Sequence, residues 1–107
     1  MAEQGRYYSV AGIRAANAAA GFHFFDRDSM RAFSSRVHGR LYGGRYFVTS
    51  EQDRAPYGAA AWDGERRYTV REARADGSIG TVGEFGAFSS GAEAHRAAAE
   101  LAEEQDQ

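Results

Sequence analysis

The sequence predicts an α+β fold: a single domain built on a four-stranded antiparallel meander sheet with helices packed on one face, in the order α-α-β-β-β-β-α. Three observations carry that expectation. Two stretches rich in aromatic and β-branched residues fold back on themselves at Gly43-Gly44 and at Asp76-Gly77, both short hairpin turns. Alanine-rich stretches with capping residues stand before and after them. A chain of 107 residues with 43% hydrophobic content is enough for one core. The domain is expected to span 1–107, with flexible ends at 1–6 and 103–107.

Taken in order, Ser9 is placed to cap a helix over 9–20 whose Val10, Ile13 and Asn17 fall at helical spacing, with Gly21 as its terminator. Asp26 or Asp28 can start a second, short helix ending near Ser34 or Ser35, with Met30 and Phe33 on one face and Arg27 and Arg31 on another. Residues 36–42 alternate, with Val37 and Leu41 turned one way and Arg36, His38, Arg40 and Tyr42 the other. After the Gly43-Gly44 turn, the return strand covers about 45–51. Residues 52–65 lack periodicity and read as a long loop, in which Tyr57 and Trp62 suit core plugs or partner anchors, plugs being the favoured reading. A second hairpin joins a strand over 66–72 to one over 79–88, where glycines at 80, 83 and 86 predict a bulge or bend. Ser90 and Glu93 form a capping box that opens a last helix running to about Glu103, with Ala94, Ala97, Ala98 and Leu101 as its apolar stripe.

Composition excludes several classes of function. The absence of cysteine removes disulfides, thiolate catalysis and cysteine-held zinc. No apolar run is long enough to span a membrane and the N-terminal residues lack a signal-peptide pattern, so a cytoplasmic protein is expected. All 13 basic residues are arginine, alongside abundant Ala and Gly, as a GC-rich coding sequence would produce. Residues 1–80 hold twelve arginines against nine acids and residues 81–107 one arginine against six acids, a basic body with an acidic end. The overall charge of −2 is far from that of a general nucleic-acid binder.

No catalytic, cofactor or metal motif emerges. His23, His38 and His95 fall in three different elements and never at the i, i+4 spacing of a helical metal pair. Asp26 and Asp28 suit a helix start better than acid–base chemistry. Serines 34, 35, 89 and 90 stand at helix boundaries without a nucleophile-elbow frame, and Tyr42-Gly43-Gly44-Arg45 lacks the frame of a phosphate loop. What remains is an arginine–aromatic surface, with Arg36, His38, Arg40, Tyr42, Arg67 and Arg71 on an outer sheet face and Arg45 at the turn. These residue types are enriched where proteins bind proteins. The same residues also suit a solvated face with cross-strand pairs such as Arg71 with Glu84, or a homodimer contact.

One resemblance spans about residues 20–102. The run His23-Phe24-Phe25, Arg27, Met30-Arg31, Phe33 and Ser35-Arg36-Val37 is followed by Tyr42-Gly43-Gly44-Arg45-Tyr46-Phe47-Val48-Thr49-Ser50-Glu51. Arg66-Arg67-Tyr68-Thr69-Val70-Arg71, Asp76-Gly77-Ser78-Ile79 and Thr81-Val82-Gly83-Glu84-Phe85 complete it. This wording resembles a group of small uncharacterised proteins of bacteriophages and mobile elements. The resemblance implies a phage accessory protein, an inhibitor of host defence such as an anti-CRISPR protein among them, and carries no catalytic residue. Residues 66–102 also resemble the sheet-and-helix module of AP2 DNA-binding domains, but without the basic balance that module has in its second strand and helix. The expectation is therefore a non-enzymatic protein, without cofactor, that binds a host protein or complex. Nucleic-acid binding by the sheet face is the alternative.

Overall fold

The structure is a computed structural model that describes residues 7–31, 34–52 and 66–105. The expected flexible start at 1–6, the last two residues of the expected flexible end, Phe33 on the second helix, and most of the loop, with Tyr57 and Trp62, lie outside the described residues. The elements are α1 (Val10–Ala19), α2 (Arg27–Arg31), β1 (Arg36–Tyr42), β2 (Tyr46–Gln52), β3 (Arg66–Ala73), β4 (Ile79–Val82) and α3 (Gly91–Gln105). The strands pair in sequence order as an antiparallel meander, so the class and the order are those expected.

Local chemistry accounts for the boundaries. The Ser9 hydroxyl accepts a hydrogen bond from the Gly12 N–H at 3.1 Å and caps α1. Ser90 does the same for α3, accepting from the Glu93 N–H at 3.2 Å. Gly43 and Gly44 adopt φ of 60° and 69°, the double positive φ of a type I′ hairpin turn. The fourth strand is shorter than expected. It stops at Val82 because Gly83 and Gly86 turn the backbone to φ of 77° and 67°. Phe88 then returns to the sheet as an isolated bridge to Tyr68.

The helices do not share one face of the sheet, and here the structure corrects the expectation. Tyr46 and Val48 of β2 and Val70 of β3 pack against Ala94, Ala98 and Ala102 of α3. Phe47, between them in sequence, points the other way and packs with Ile13 of α1, Ala73, Phe24 and Phe25. Successive strand residues face opposite sides, so β2 is apolar on both. Its run Tyr46-Phe47-Val48 has no polar residue between apolar ones, which is the pattern of a strand covered on two sides rather than one. The fold is a three-layer arrangement with α3 on one face and α1 with the Phe24-Phe25 segment on the other.

Each hairpin turn abuts one helix. A Cβ at Gly43 would lie 2.8 Å from the Ala102 Cβ, so the first turn passes directly under α3. A Cβ at Gly77 would lie 2.7 Å from the Ala16 carbonyl oxygen, so the second turn presses on α1. Asn17, 1% exposed, fastens this contact by donating through Nδ2 to the Gly77 carbonyl at 2.8 Å and accepting through Oδ1 from the Phe24 N–H at 3.1 Å. One side chain thus ties α1 to the β3–β4 turn and to the aromatic segment. Asn17→Ala leaves a buried donor and acceptor without partners and should lower stability by about 1–3 kcal/mol, read as a reduced urea midpoint at unchanged m-value.

Candidate functional site

The expected surface residues do not share a face. Tyr42 packs at the edge of the α3 core, and its hydroxyl lies 2.7 Å from His95 Nδ1. Arg71 lies on the α1 side, under the ring of Phe24. Arg67, on the same side of β3, donates through Nε to the Gly86 carbonyl at 2.8 Å. Arg45 stands at the first turn, 3.9 Å from Glu72. Arg36 and Arg40 are exposed, with the Arg40 guanidinium 5.3 Å from the centre of the Tyr42 ring. Arg45 thus stands at the turn as expected, while the residues read as one outward face are divided between two covered faces and the edge strand β1.

Two side-chain clusters result. The first is a closed polar network on the α1 side. Glu51, 1% exposed, accepts from the Thr69 hydroxyl at 2.7 Å and from Arg71 Nη2 at 3.1 Å. Arg71 also donates through Nε to Thr49 at 2.9 Å and through Nη1 to Thr81 at 2.6 Å, and Thr69 in turn accepts from the Gly86 N–H at 2.9 Å. The partner of Arg71 is thus Glu51 and not the Glu84 expected from sequence. Strand register explains the choice. Thr49 pairs with Thr69 and Arg71 with Thr81, which places all five side chains on one face of three adjacent strands. Every carboxylate oxygen and guanidinium nitrogen of the pair is engaged, so the network stiffens the sheet and offers no nucleophile or base to a substrate.

The second cluster joins β1 to α3. His38 Nδ1 lies 3.4 Å from His95 Nε2, and the His95 ring continues to the Tyr42 hydroxyl. His38 also meets Tyr68 edge-on at 5.7 Å between ring centres. Arg66 reaches across β2 into the same corner, donating through Nη1 to the Ser50 hydroxyl at 2.9 Å and through Nη2 to the Ser34 carbonyl at 3.0 Å. Ser34 has a φ of 48°, the one positive φ among described non-glycine residues. Burial holds the His38 imidazole below its ordinary value near 6.5, reinforced by His95, Arg66 and Arg36 and opposed by Glu51. Burial likewise lowers His95, with Arg40 adding to it. Each neutral ring can give one donor and accept one bond, but protonating both would set N–H against N–H across the 3.4 Å contact.

His95, Arg66, Glu51 and the threonines are the members that sequence reasoning missed. His23 stays apart, 2.8 Å from Asp26. Among the described residues no three His, Asp or Glu side chains gather closely enough to hold a metal, and no helix is long and apolar enough to cross a membrane.

The buried ion pair and the histidine pair each make a measurable prediction. Arg71→Met strands the Glu51 carboxylate and should destabilise by about 3–5 kcal/mol, whereas the double variant Glu51→Leu with Arg71→Met should recover much of that loss, measured as urea midpoints. For the histidines, the unfolded chain takes up protons near pH 6.5 and the folded chain only at lower pH. Stability should be fully present above that pH and fall as pH drops through it, until the folded-state imidazoles also titrate. His95→Gln should flatten this decline in thermal melts recorded across pH 5–8.

Residues 9–99 match the family described as "Family of unknown function (DUF7447)", and the chain belongs to that family. No curated protein and no solved structure matches it.

Proposed function

We propose that this protein is a non-enzymatic interaction module that binds an acidic surface of a partner protein along the edge strand β1. The observation that carries this reading is the two-sided cover of the sheet. With α3 on one face and α1 with Phe24-Phe25 on the other, neither sheet face is the binding surface, and β1 with exposed Arg36 and Arg40 is left at the rim. An edge strand can extend its hydrogen-bonding to a second chain, and guanidinium groups at its border select a partner with carboxylates.

The resemblance of residues 20–102 to small proteins of phages and mobile elements supports a host protein as that partner, with inhibition by steric competition as its effect. An inhibitor of host defence such as an anti-CRISPR protein is one member of that class. The nucleic-acid alternative needs aromatic rings open to stack on bases. Tyr42, Tyr46 and Tyr68 instead pack with α3, and the exposed rings of Tyr8, Phe22 and Phe85 lie outside the strands, which favours the protein partner over stacking on the sheet.

The test is size-exclusion chromatography with light scattering of the pure protein after incubation with host lysate, with mass spectrometry of the shifted peak. The wild-type chain should carry a stoichiometric protein, and Arg36→Glu with Arg40→Glu should weaken that complex at least about tenfold, as loss of interface arginines does. Undiminished binding by the double variant would remove β1 as the site. Co-eluting nucleic acid, released steeply by salt, would favour the alternative.

A further inference from the structure

We infer that Arg36, Arg66 and His38, with His95 behind His38, form a binding site for one tetrahedral oxyanion, a phosphate or a phosphate monoester, at the corner where β1 meets α3. The inference names a small ligand and does not require the protein partner proposed above.

Positive charge is concentrated at this corner. Arg36 pairs in register with Ser50, and Arg66 spans β2 to bond the same Ser50 hydroxyl, so both arginines converge on one serine position of β2. Arg66 is held there by Ser50 and by the Ser34 carbonyl, which leaves the rest of its donor fork open. Among the described residues no hydrogen bond or ion pair engages Arg36, which is exposed. On the α3 side stand His38 and His95, 3.4 Å apart, with Arg40 beside His95.

Burial and the charge of Arg36 lower the Arg66 guanidinium, the sign of like charges held together. Among the described carboxylates Glu51 opposes this only in part, acting on Arg66 as it does on His38. Glu51 acts on the corner from β2, but its oxygens are held by Thr69 and Arg71. Glu93 at the start of α3 is occupied with Ser89 and Ser90.

A phosphate group supplies the missing counter-charge. It carries about −1.5 to −2 near neutral pH and three acceptor oxygens, enough for two guanidinium groups and for Nε2 of His38, the ring nitrogen that does not face His95. Binding would favour the protonated imidazole of His38 and so raise it, with the neutral His95 ring accepting from it across the 3.4 Å contact.

The experiment is a proton NMR titration of the three imidazoles in the full chain, with inorganic phosphate and then phenyl phosphate, each against chloride at matched ionic strength. His38 should titrate at higher pH with phosphate than with chloride. Arg36→Gln, at an exposed position, should fold as the wild type and lose at least about fivefold in affinity, the loss of one charge-assisted contact. Tighter binding of phenyl phosphate would assign the site to esters, and equal binding to free phosphate. An identical His38 midpoint in phosphate and chloride, or an unchanged affinity in Arg36→Gln, would overturn the site.

Discussion

The structure depends on the two-sided burial of β2. Tyr46, Phe47, Val48, Thr49, Ser50 and Glu51 are all buried, and each face of the strand is claimed by a different layer. Burying a large side chain such as Phe47 stabilises by about 2–3 kcal/mol, but β2 does more than contribute area. It obliges α1 and α3 to take opposite sides, because one helix cannot cover both Tyr46 and Phe47. A sheet of four strands with one open face would be a natural platform for a partner. This sheet is a middle layer.

The same constraint explains why a glutamate and an arginine are buried. On the α3 face, small alanines of the helix approach closely and apolar side chains fill the space. On the α1 face, the aromatic cluster with Phe47 covers only part of the sheet. Beyond it the strands carry Thr49, Glu51, Thr69, Arg71 and Thr81, whose hydrogen bonds complete that side of the layer. A buried ion pair gains little stability over apolar groups of equal volume, but its directional bonds admit one strand register only. Sliding β3 by one residue past β2 would turn Arg71 to the other face, away from Glu51, and leave both charges unpaired.

Much of this was legible in the sequence, and what was not has a physical cause. Caps and turns are local: Ser9, Ser90, Gly43-Gly44 and Gly77 act on backbone within a few residues of themselves, so their roles read directly from the chain. The strand boundaries followed from β-branched and aromatic runs, except for β4, where Gly83 and Gly86 terminate the strand instead of bending it. The side of the sheet taken by each helix is a tertiary choice, yet Tyr46-Phe47-Val48 held the clue, since a strand exposed on one face would alternate with polar residues. The meeting of His38 with His95 could not be read, because 57 residues separate them and only the crossing of α3 over β1 brings them together. The candidate site was half legible. Arg36 and Arg40 kept their expected exposure, while Tyr42 and Arg71 were drawn into packing by elements whose position no spacing rule encodes.

The form of β1 bears on what kind of partner it suits. An exposed strand edge invites pairing with any other edge, and a second copy of the same chain offers an identical one. Here the register of β1 slips between Val37 and Leu41, so the strand is bulged where a straight edge would be needed. Arg36 and Arg40 border that irregularity, and in an antiparallel pair of two β1 strands these arginines would face each other's charge. Both features act against self-pairing, while neither obstructs a partner whose own border is acidic. On the reading proposed above the arginines do two things at once: they disfavour pairing of two β1 edges, and they give the edge a sign that a different molecule can match. A device that only prevented aggregation would need no particular side for its charges. In this fold Arg36 instead shares a corner with Arg66 and two partly buried histidines, where charge is costly to hold and an arriving anion would lower that cost.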